Sequence, residues 1–290
     1  MRPISITIIV PAFNEEEAIK NTIDRLKSLS KKENWISEII VVNDGSADNT
    51  SSIAKNLGVT VIDHPTNGGY GLCLQHGIKV AKHDLIAITD ADGTYPIEKL
   101  PELVKMTEEK GFDMAIGARQ GREYRKGLWK YPARIIFKLL AEFVAGRRIP
   151  DINSGLRVIK KEKLLPHYER TCYGFSFTTS ITLIFFLNGY FVGYLPIPYE
   201  KRVGKSKVKH FHDSLRTAQI MVSVIAFYNP LKLFLLISFV SLGSAILSGI
   251  LGIIFDFSSL LFLSLLFIAV IPIIFSIGIL AELIRIRDVK

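Results

Sequence analysis

Only two cysteines, Cys73 and Cys172, occur in the chain, so a disulfide framework is excluded and a reducing compartment is expected. The glycine patterns that cradle nucleotide cofactors are missing as well. No GxGxxG follows the first apolar run and no GxxxxGK with Ser or Thr occurs, which removes the dinucleotide and P-loop readings; NGGYG, the nearest match, has the wrong spacing. The opening MRPISITIIVPAFNEEE has too short an apolar stretch and no small-residue cleavage site before charges begin, so no cleaved leader is expected. Charge is what two segments near the C-terminus lack. Residues 231–255 carry a single lysine, Lys232, at their edge, and residues 260–280 carry no charge.

Each of these runs exceeds the roughly 20 residues that cross a bilayer core. They read as two transmembrane helices, about 231–255 and 260–283, joined by a DFSS turn, with a buried hairpin of a soluble protein as the alternative. They also account for a hydrophobic fraction of 49%, high for a soluble chain. Lys205, Lys207, Lys209, Arg216 and Lys232 precede the first run, Arg285, Arg287 and Lys290 follow the second, and the turn holds only Asp256. By the positive-inside rule both ends face the cytoplasm. The net charge of +9 suits nucleic acid or an anionic membrane surface, and the spans favour the membrane, so no nucleic-acid partner is expected.

Upstream, short β-branched runs alternate with helical periodicity. ISITIIVPA is followed by a segment that puts Ala18, Ile19, Ile23, Leu26 and Leu29 on one helical face; EIIVVND, VTVID, DLIAITD and DMAIGAR each begin or close a similar unit. The pattern predicts an α/β domain with a mainly parallel sheet and helices on both faces. Ligands of such sheets bind beyond the carboxyl ends of the strands, and four polar loops fall there: PAFNEE, NDGSADNT, HPTNGGYG and DADGTYP.

Asp90 and Asp92 alternate along a segment read as extended, so one can reach a divalent ion while the other turns to a nucleotide or a second coordination position. Asp44, with the small Gly45 and Ser46, can approach a base or ribose, while Asp48 or Asn49 caps the next helix. Asn49-Thr50-Ser51 spells a glycosylation sequon, which a cytoplasmic domain would not present to the modifying enzyme. His210 and His212 in a basic stretch read as a solvated or headgroup-facing surface rather than a metal site.

IIVPAFNEEEAI, VVNDGSADNT, NGGYG and DADGTYP, in that order, resemble the GT-A domain of inverting family 2 glycosyltransferases. DINSGLRVI, GFSFTTSITL and KRVGKSK, followed by membrane runs, narrow the resemblance to the polyprenyl-phosphate glycosyltransferases, the dolichyl-phosphate mannose and glucose synthase group. The likeness covers about residues 4–230. It implies that Pro11, Phe13, Asn14 and Glu15 frame the nucleotide with Asp44, Gly45, Asp90 and Ala91, and that Asp90 and Asp92 meet Mg²⁺ or Mn²⁺ and the diphosphate. Relatives often have Gln as a further metal-side ligand where this chain has Thr94, the third metal candidate; they commonly have Asp where it has Asn43.

Arg119 ends the DMAIGAR run, and Arg122, Arg125, Lys126, Lys130 and Arg134 follow with only Glu123 opposing. This is either a solvated face or a counter-charge for a lipid phosphate. The resemblance singles out Arg119, with Lys130 or Arg134, as acceptor-phosphate ligands, and Ser154 and Arg157 are further candidates, Arg157 alternatively as a carboxylate's partner. KRVGKSK reads as a mobile basic loop, with Arg202 and Lys207 as phosphate contacts; a polybasic patch that only attracts anionic lipid is the alternative. FHDSLRTAQIMVSVIAFY suits a helix lying in the headgroup region, and YPARIIFKLLAEFVAG either does the same or packs on the core.

The expected organisation is a catalytic domain over 1–210, a juxtamembrane amphipathic helix over 211–229, and two spans with a cytoplasmic tail over 230–290. The expected reaction is metal-dependent, inverting transfer of one sugar from a nucleotide-diphosphate sugar to a polyprenyl monophosphate at the cytoplasmic face. Asp92, Asp151 and Arg119 are the catalytic candidates, with Asp151 either a base or the group that orients Arg157. Two other classes remain: a processive polysaccharide synthase, for which a QxxRW-type motif and a longer channel are missing, and a catalytically silent membrane scaffold, against which Asp44, Asp90 and Asp92 argue. Sugar, polyprenol length and oligomeric state leave no trace in the sequence.

Overall fold

A run of β-branched residues buried on both faces makes a central strand, and Ser5–Ala12 (β1) is that strand. The computed structural model describes residues 3–121, 131–168, 177–200, 219 and 222–288, and of residues 131–134, 136 and 288 only the backbone. β1 is joined by β2 (Ile36–Asn43), β3 (Thr60–Asp63), β4 (Leu85–Ile88), β5 (Met114–Gln120), β6 (Arg157–Lys160) and β7 (Val192–Pro198) in one sheet of order β3-β2-β1-β4-β6-β5-β7. The helices are α1 (Ile19–Lys32), α2 (Thr50–Asn56), α3 (Tyr70–Val80), α4 (Leu100–Glu108), α5 (Tyr131–Ala145) and α6 (Phe177–Leu187), then α7 (Pro230–Ile254) and α8 (Ser258–Asp288). The described chain divides into two compact units, Met1–Ile220 and Met221–Lys290.

In the first unit, alternate residues of β1 feed opposite faces of the sheet. Ile6, Ile8 and Val10 pack with Ile23 and Leu26 of α1 and Leu103 of α4, whereas Ile9 joins the cluster of Leu74 and Ile78 of α3 and Phe177 and Ile181 of α6. Each such fully buried side chain contributes roughly 1.5–3 kcal/mol over leaving it in water. The face predicted for α1 is the buried one.

The parallel sheet expected from the sequence is present, with one departure. β1 runs parallel to β2 and β4, β2 to β3, and β5 to β7, but β6 is antiparallel to both β4 and β5. Arg157–Lys160 is too short to show a period, so RVIK carries no strand signal in the sequence. Because β1 pairs with β2 on one side and β4 on the other, the order reverses there, and the loops after both strands open a crevice at the carboxyl edge.

In the second unit, Asn229 caps α7 by accepting the Lys232 N–H at 3.1 Å, with Pro230 at the first helical position. The turn to α8 passes through Asp256 at φ +53°. Between the two helices lie small buried residues, Ser241, Ala245 and Ser248, and two hydroxyls cross the interface: Ser264 donates to the Ala245 carbonyl at 2.8 Å and Ser241 to the Phe267 carbonyl at 3.1 Å. Large apolar side chains such as Phe239, Leu247, Phe262 and Leu265 are exposed. Both helices are long and apolar enough to cross a membrane. Of the stretch expected as a juxtamembrane helix, residues 222–228 are helical, and residues 211–218, 220 and 221 lie outside the described residues.

Candidate functional site

The first two loops of the crevice edge form one hydrogen-bonded layer. Asn14, at φ +51°, donates its N–H to Ser46 Oγ at 2.8 Å and accepts the Ala47 N–H at Oδ1 at 2.8 Å. Asn tolerates this left-handed backbone better than most residues. Glu15 N–H donates to Thr50 Oγ1 at 2.8 Å, and Asn49 N–H to Glu16 Oε2 at 3.0 Å. Pro11 is buried inside β1, and Phe13 and Asn14 are half-buried at its end.

The third loop is drawn onto this layer by Asp44. Its buried carboxylate accepts the Gly68 N–H and the His64 Nδ1–H at Oδ1 and the Gly69 N–H at Oδ2, all at 2.8 Å. Gly45, at φ +69°, permits the approach, since a Cβ there would lie 2.7 Å from the Thr66 carbonyl carbon. His64 Nε2 is in turn hydrogen-bonded to His76 Nδ1 at 2.8 Å. Cys73 also lies close to Asp44 and His64. Burial, and then Asp44, push its thiol up, and the carboxylate accepts three N–H donors, so the three side chains form a buried hydrogen-bonded cluster. Asn43 does not enter the crevice: its Nδ2 donates to Asp63 Oδ1 at 2.9 Å and ties β2 to β3.

The fourth loop corrects the extended reading of DADG. Ala91 and Asp92 form a turn with Gly93 at φ +73°, closed by the Thr94 N–H and hydroxyl, which donate to Asp92 Oδ1 at 3.1 and 2.7 Å. Thr94 is fully buried and serves Asp92. The side chain of Ala91 is in the core and its carbonyl accepts from Thr22 Oγ1 of α1 at 3.0 Å. Asp90, half-buried, accepts the Tyr70 hydroxyl at 3.1 Å.

Arg119, at the end of β5, and Asp151 form a two-pronged pair. Arg119 Nε donates to Asp151 Oδ2 at 2.7 Å and Nη2 to Oδ1 at 2.9 Å, with the Arg119 and Asn153 backbone N–H groups each at 3.1 Å. The guanidinium also lies 5.3 Å from the Tyr199 ring centroid. The sequence leaves Asp151 as a base or as the group that orients Arg157; the arginine it pairs with is Arg119.

Arg157 is placed elsewhere. It is fully buried and donates to the Ser154 and Ile152 carbonyls at 2.6 Å each and to Thr182 Oγ1 at 2.7 Å. Burial lowers its pKa below the ordinary arginine value. This interior arginine braces the DINSGLR loop and does not face an acceptor phosphate. Ser154 is likewise fully buried, its hydroxyl without a partner among the described residues. Arg157→Ala, which orphans these acceptors and leaves a cavity, should lower unfolding stability by more than about 3 kcal/mol. Denaturant unfolding of the purified variant checks this; full stability with lost acceptor binding would restore the ligand role.

Lys130, Arg202 and Lys207 lie outside the described residues, as does the side chain of Arg134. The sequence reading missed Tyr70, His64 and Thr22. Tyr70 and His64 stand inside HPTNGGYG, a loop singled out for its glycines, but nothing local shows that their polar atoms reach carboxylates 20 residues away.

Residues 7–167 match the sequence profile described as glycosyl transferase family 2. The chain belongs to that family. It is a glycosyltransferase, and its seven-stranded mixed sheet is the GT-A-like fold. A dolichyl-phosphate hexose transferase of Haloferax volcanii is 28% identical over 221 residues, covering 76% of this chain and 93% of the relative. A dolichyl-phosphate beta-glucosyltransferase of Trichomonas vaginalis is 30% identical over 190 residues, 58% of this chain and 56% of that one. An undecaprenyl-phosphate 4-deoxy-4-formamido-L-arabinose transferase of Pseudomonas fluorescens is 27% identical and covers 85% of this chain and 73% of its own length. Among solved structures, glucosyl-3-phosphoglycerate synthase of Mycobacterium tuberculosis, in a complex with Mn²⁺, UDP and glucosyl-3-phosphoglycerate, superposes with a TM-score of 0.60 at 19% identity, over 76% of this chain and 79% of that one. At that identity it shows the fold alone.

Proposed function

We propose that this glycosyltransferase moves one sugar from a nucleotide-diphosphate sugar to a polyprenyl monophosphate at the cytoplasmic face of a membrane, with inversion. The observation that carries the lipid acceptor is the C-terminal hairpin, whose small residues face inward and whose large apolar residues face outward, the arrangement an apolar medium favours. Relatives named for dolichyl- and undecaprenyl-phosphate transfer support the same reading. Exposed Ile135, Leu139 and Phe143, spaced four residues apart along α5, add an apolar stripe suited to a headgroup region.

The site residues fit a hard divalent ion, Mg²⁺ or Mn²⁺: Asp90, half-buried at the crevice edge, and Asp92, two residues on in the same loop, offer hard carboxylate oxygens. Asp90 and Asp92 would hold the ion, which when bound neutralises the leaving diphosphate. Thr94 keeps Asp92 in orientation. The layer built on Asp44, with Phe13, Asn14 and Glu15, holds the nucleoside. Arg119, aimed by Asp151, meets the acceptor phosphate, with Lys130, Arg134, Arg202 and Lys207 as further phosphate contacts. A phosphate monoester has a second pKa near 6, so the attacking oxygen is already anionic at neutral pH and no strong base is required. Alignment across the anomeric carbon and charge neutralisation are what the protein must supply.

Membranes containing the protein, incubated with a panel of UDP- and GDP-sugars and a polyprenyl phosphate, should yield a lipid whose mass rises by one glycosyl residue with one donor. A ladder of increments would favour a processive synthase, and no product with any donor would contradict the proposal.

A further inference from the structure

The Asp90 carboxylate is held from two loops by residues, Tyr70 and Gly155, to which the chemistry above gives no part. From the third loop, the Tyr70 hydroxyl donates to Oδ1 at 3.1 Å. From the loop before β6, the Gly155 backbone presses against the same group: a Cβ at 155 would lie 2.7 Å from Oδ1 and 3.0 Å from Cγ. That backbone is itself pinned, because Gly155 N–H donates to the hydroxyl of the buried Tyr95 at 2.7 Å. We propose that Tyr70 and Gly155 are positioning residues that fix Asp90 for the metal-bound donor diphosphate, an inference that rests on the metal reading of Asp90 and Asp92.

Tyr70 is the first residue of α3, directly after the two glycines whose N–H groups bind Asp44. Residues 68–70 therefore touch both the nucleoside-side and the diphosphate-side carboxylates and set one relative to the other. Tyr70 does for Asp90 what Thr94 does for Asp92, each giving a hydroxyl to the Oδ1 oxygen. Groups that orient metal-binding carboxylates without touching the ion commonly change its affinity by about 10–100-fold when removed.

The test uses the full chain in detergent, with Mn²⁺ retention measured by the electron paramagnetic resonance signal of the free ion, alone and with UDP or GDP. Tyr70→Phe keeps the ring and removes only the hydroxyl; Gly155→Ala is the independent second variant, and Asp92→Asn the control. The expected result is about tenfold weaker Mn²⁺ retention in Tyr70→Phe and in Gly155→Ala. The Mn²⁺ concentration for half-maximal transfer rises in parallel, while kcat at saturating Mn²⁺ and the unfolding temperature of Tyr70→Phe stay near the parent values. If Asp92→Asn loses Mn²⁺ but both variants bind it like the parent, the positioning role is overturned and the metal reading stands. A Tyr70→Phe protein that only unfolds at lower temperature, with Mn²⁺ retention unchanged, also overturns it. Parental retention in Asp92→Asn would overturn the metal reading and this inference with it.

Discussion

Asp92→Ala should reduce sugar transfer by about a hundred- to a thousandfold while leaving the fold and membrane insertion intact. Asp92 is buried in a turn whose other members are already committed: Ala91 is in the core with its carbonyl on Thr22, and Thr94 spends its N–H and hydroxyl on Asp92 itself. If Asp92 holds the ion as proposed, losing its carboxylate removes a ligand that neighbours in this turn do not replace. The thousandfold end is expected if the acceptor phosphate approaches a donor diphosphate whose charge is no longer neutralised, because both are then anions. Excess Mn²⁺ should restore little activity. Initial rates measured across a range of Mn²⁺ concentrations check this, and transfer within a few-fold of the parent would sink the metal assignment.

Arg119→Ala should cost a comparable factor in kcat/KM, about a hundredfold, and it separates two roles for Asp151. Four N–H donors converge on Asp151, two of them from the guanidinium of Arg119. If Asp151 holds Arg119, then Asp151→Asn weakens transfer less than Arg119→Ala does and leaves the acid limb of the pH–rate profile in place. If Asp151 is the base, Asp151→Asn is the more damaging change and that limb is lost. Removing the buried carboxylate should also lower stability by about 3 kcal/mol, since its partner remains a largely buried cation. Lys at 119 should rescue poorly, because a point charge cannot reproduce the planar fork.

Much of this architecture could be read from the sequence for a simple reason. Ile6, Ile8, Val10, Ile40 and Val42 lie in strands buried on both faces, and such strands print apolar runs that need no tertiary information. The parallel order then places PAFNEE, NDGS, NGGYG and DADG at one edge, so the loops could be found before their contacts were known. The apolar hairpin was legible for the same reason, its chemistry being uniform over a whole helix.

What could not be read depends on side chains meeting across the fold. Arg119 pairs with Asp151, 32 residues on, whereas the sequence pointed to Arg157 as that carboxylate's arginine. Only burial distinguishes the two arginines: Arg157 is enclosed by carbonyls and Thr182, whereas Arg119 keeps 15% of its side chain exposed. The turn at DADG was read as extended because Asp alternation looks the same on paper in a strand end and in a turn closed by Thr94. Thr94, a candidate for the metal shell by sequence, gives its N–H and hydroxyl to Asp92 in the fold. Strand β6 escaped because four residues are too few to reveal direction or period.

The most direct measurement of the central claim is acceptor-dependent transfer in proteoliposomes, with labelled nucleotide sugar outside and either polyprenyl phosphate or the unphosphorylated polyprenol in the bilayer. The account predicts that label enters the organic-soluble fraction only with polyprenyl phosphate and a divalent cation, one sugar per lipid. Label in a water-soluble polymer, or equal labelling with the unphosphorylated polyprenol, would contradict it.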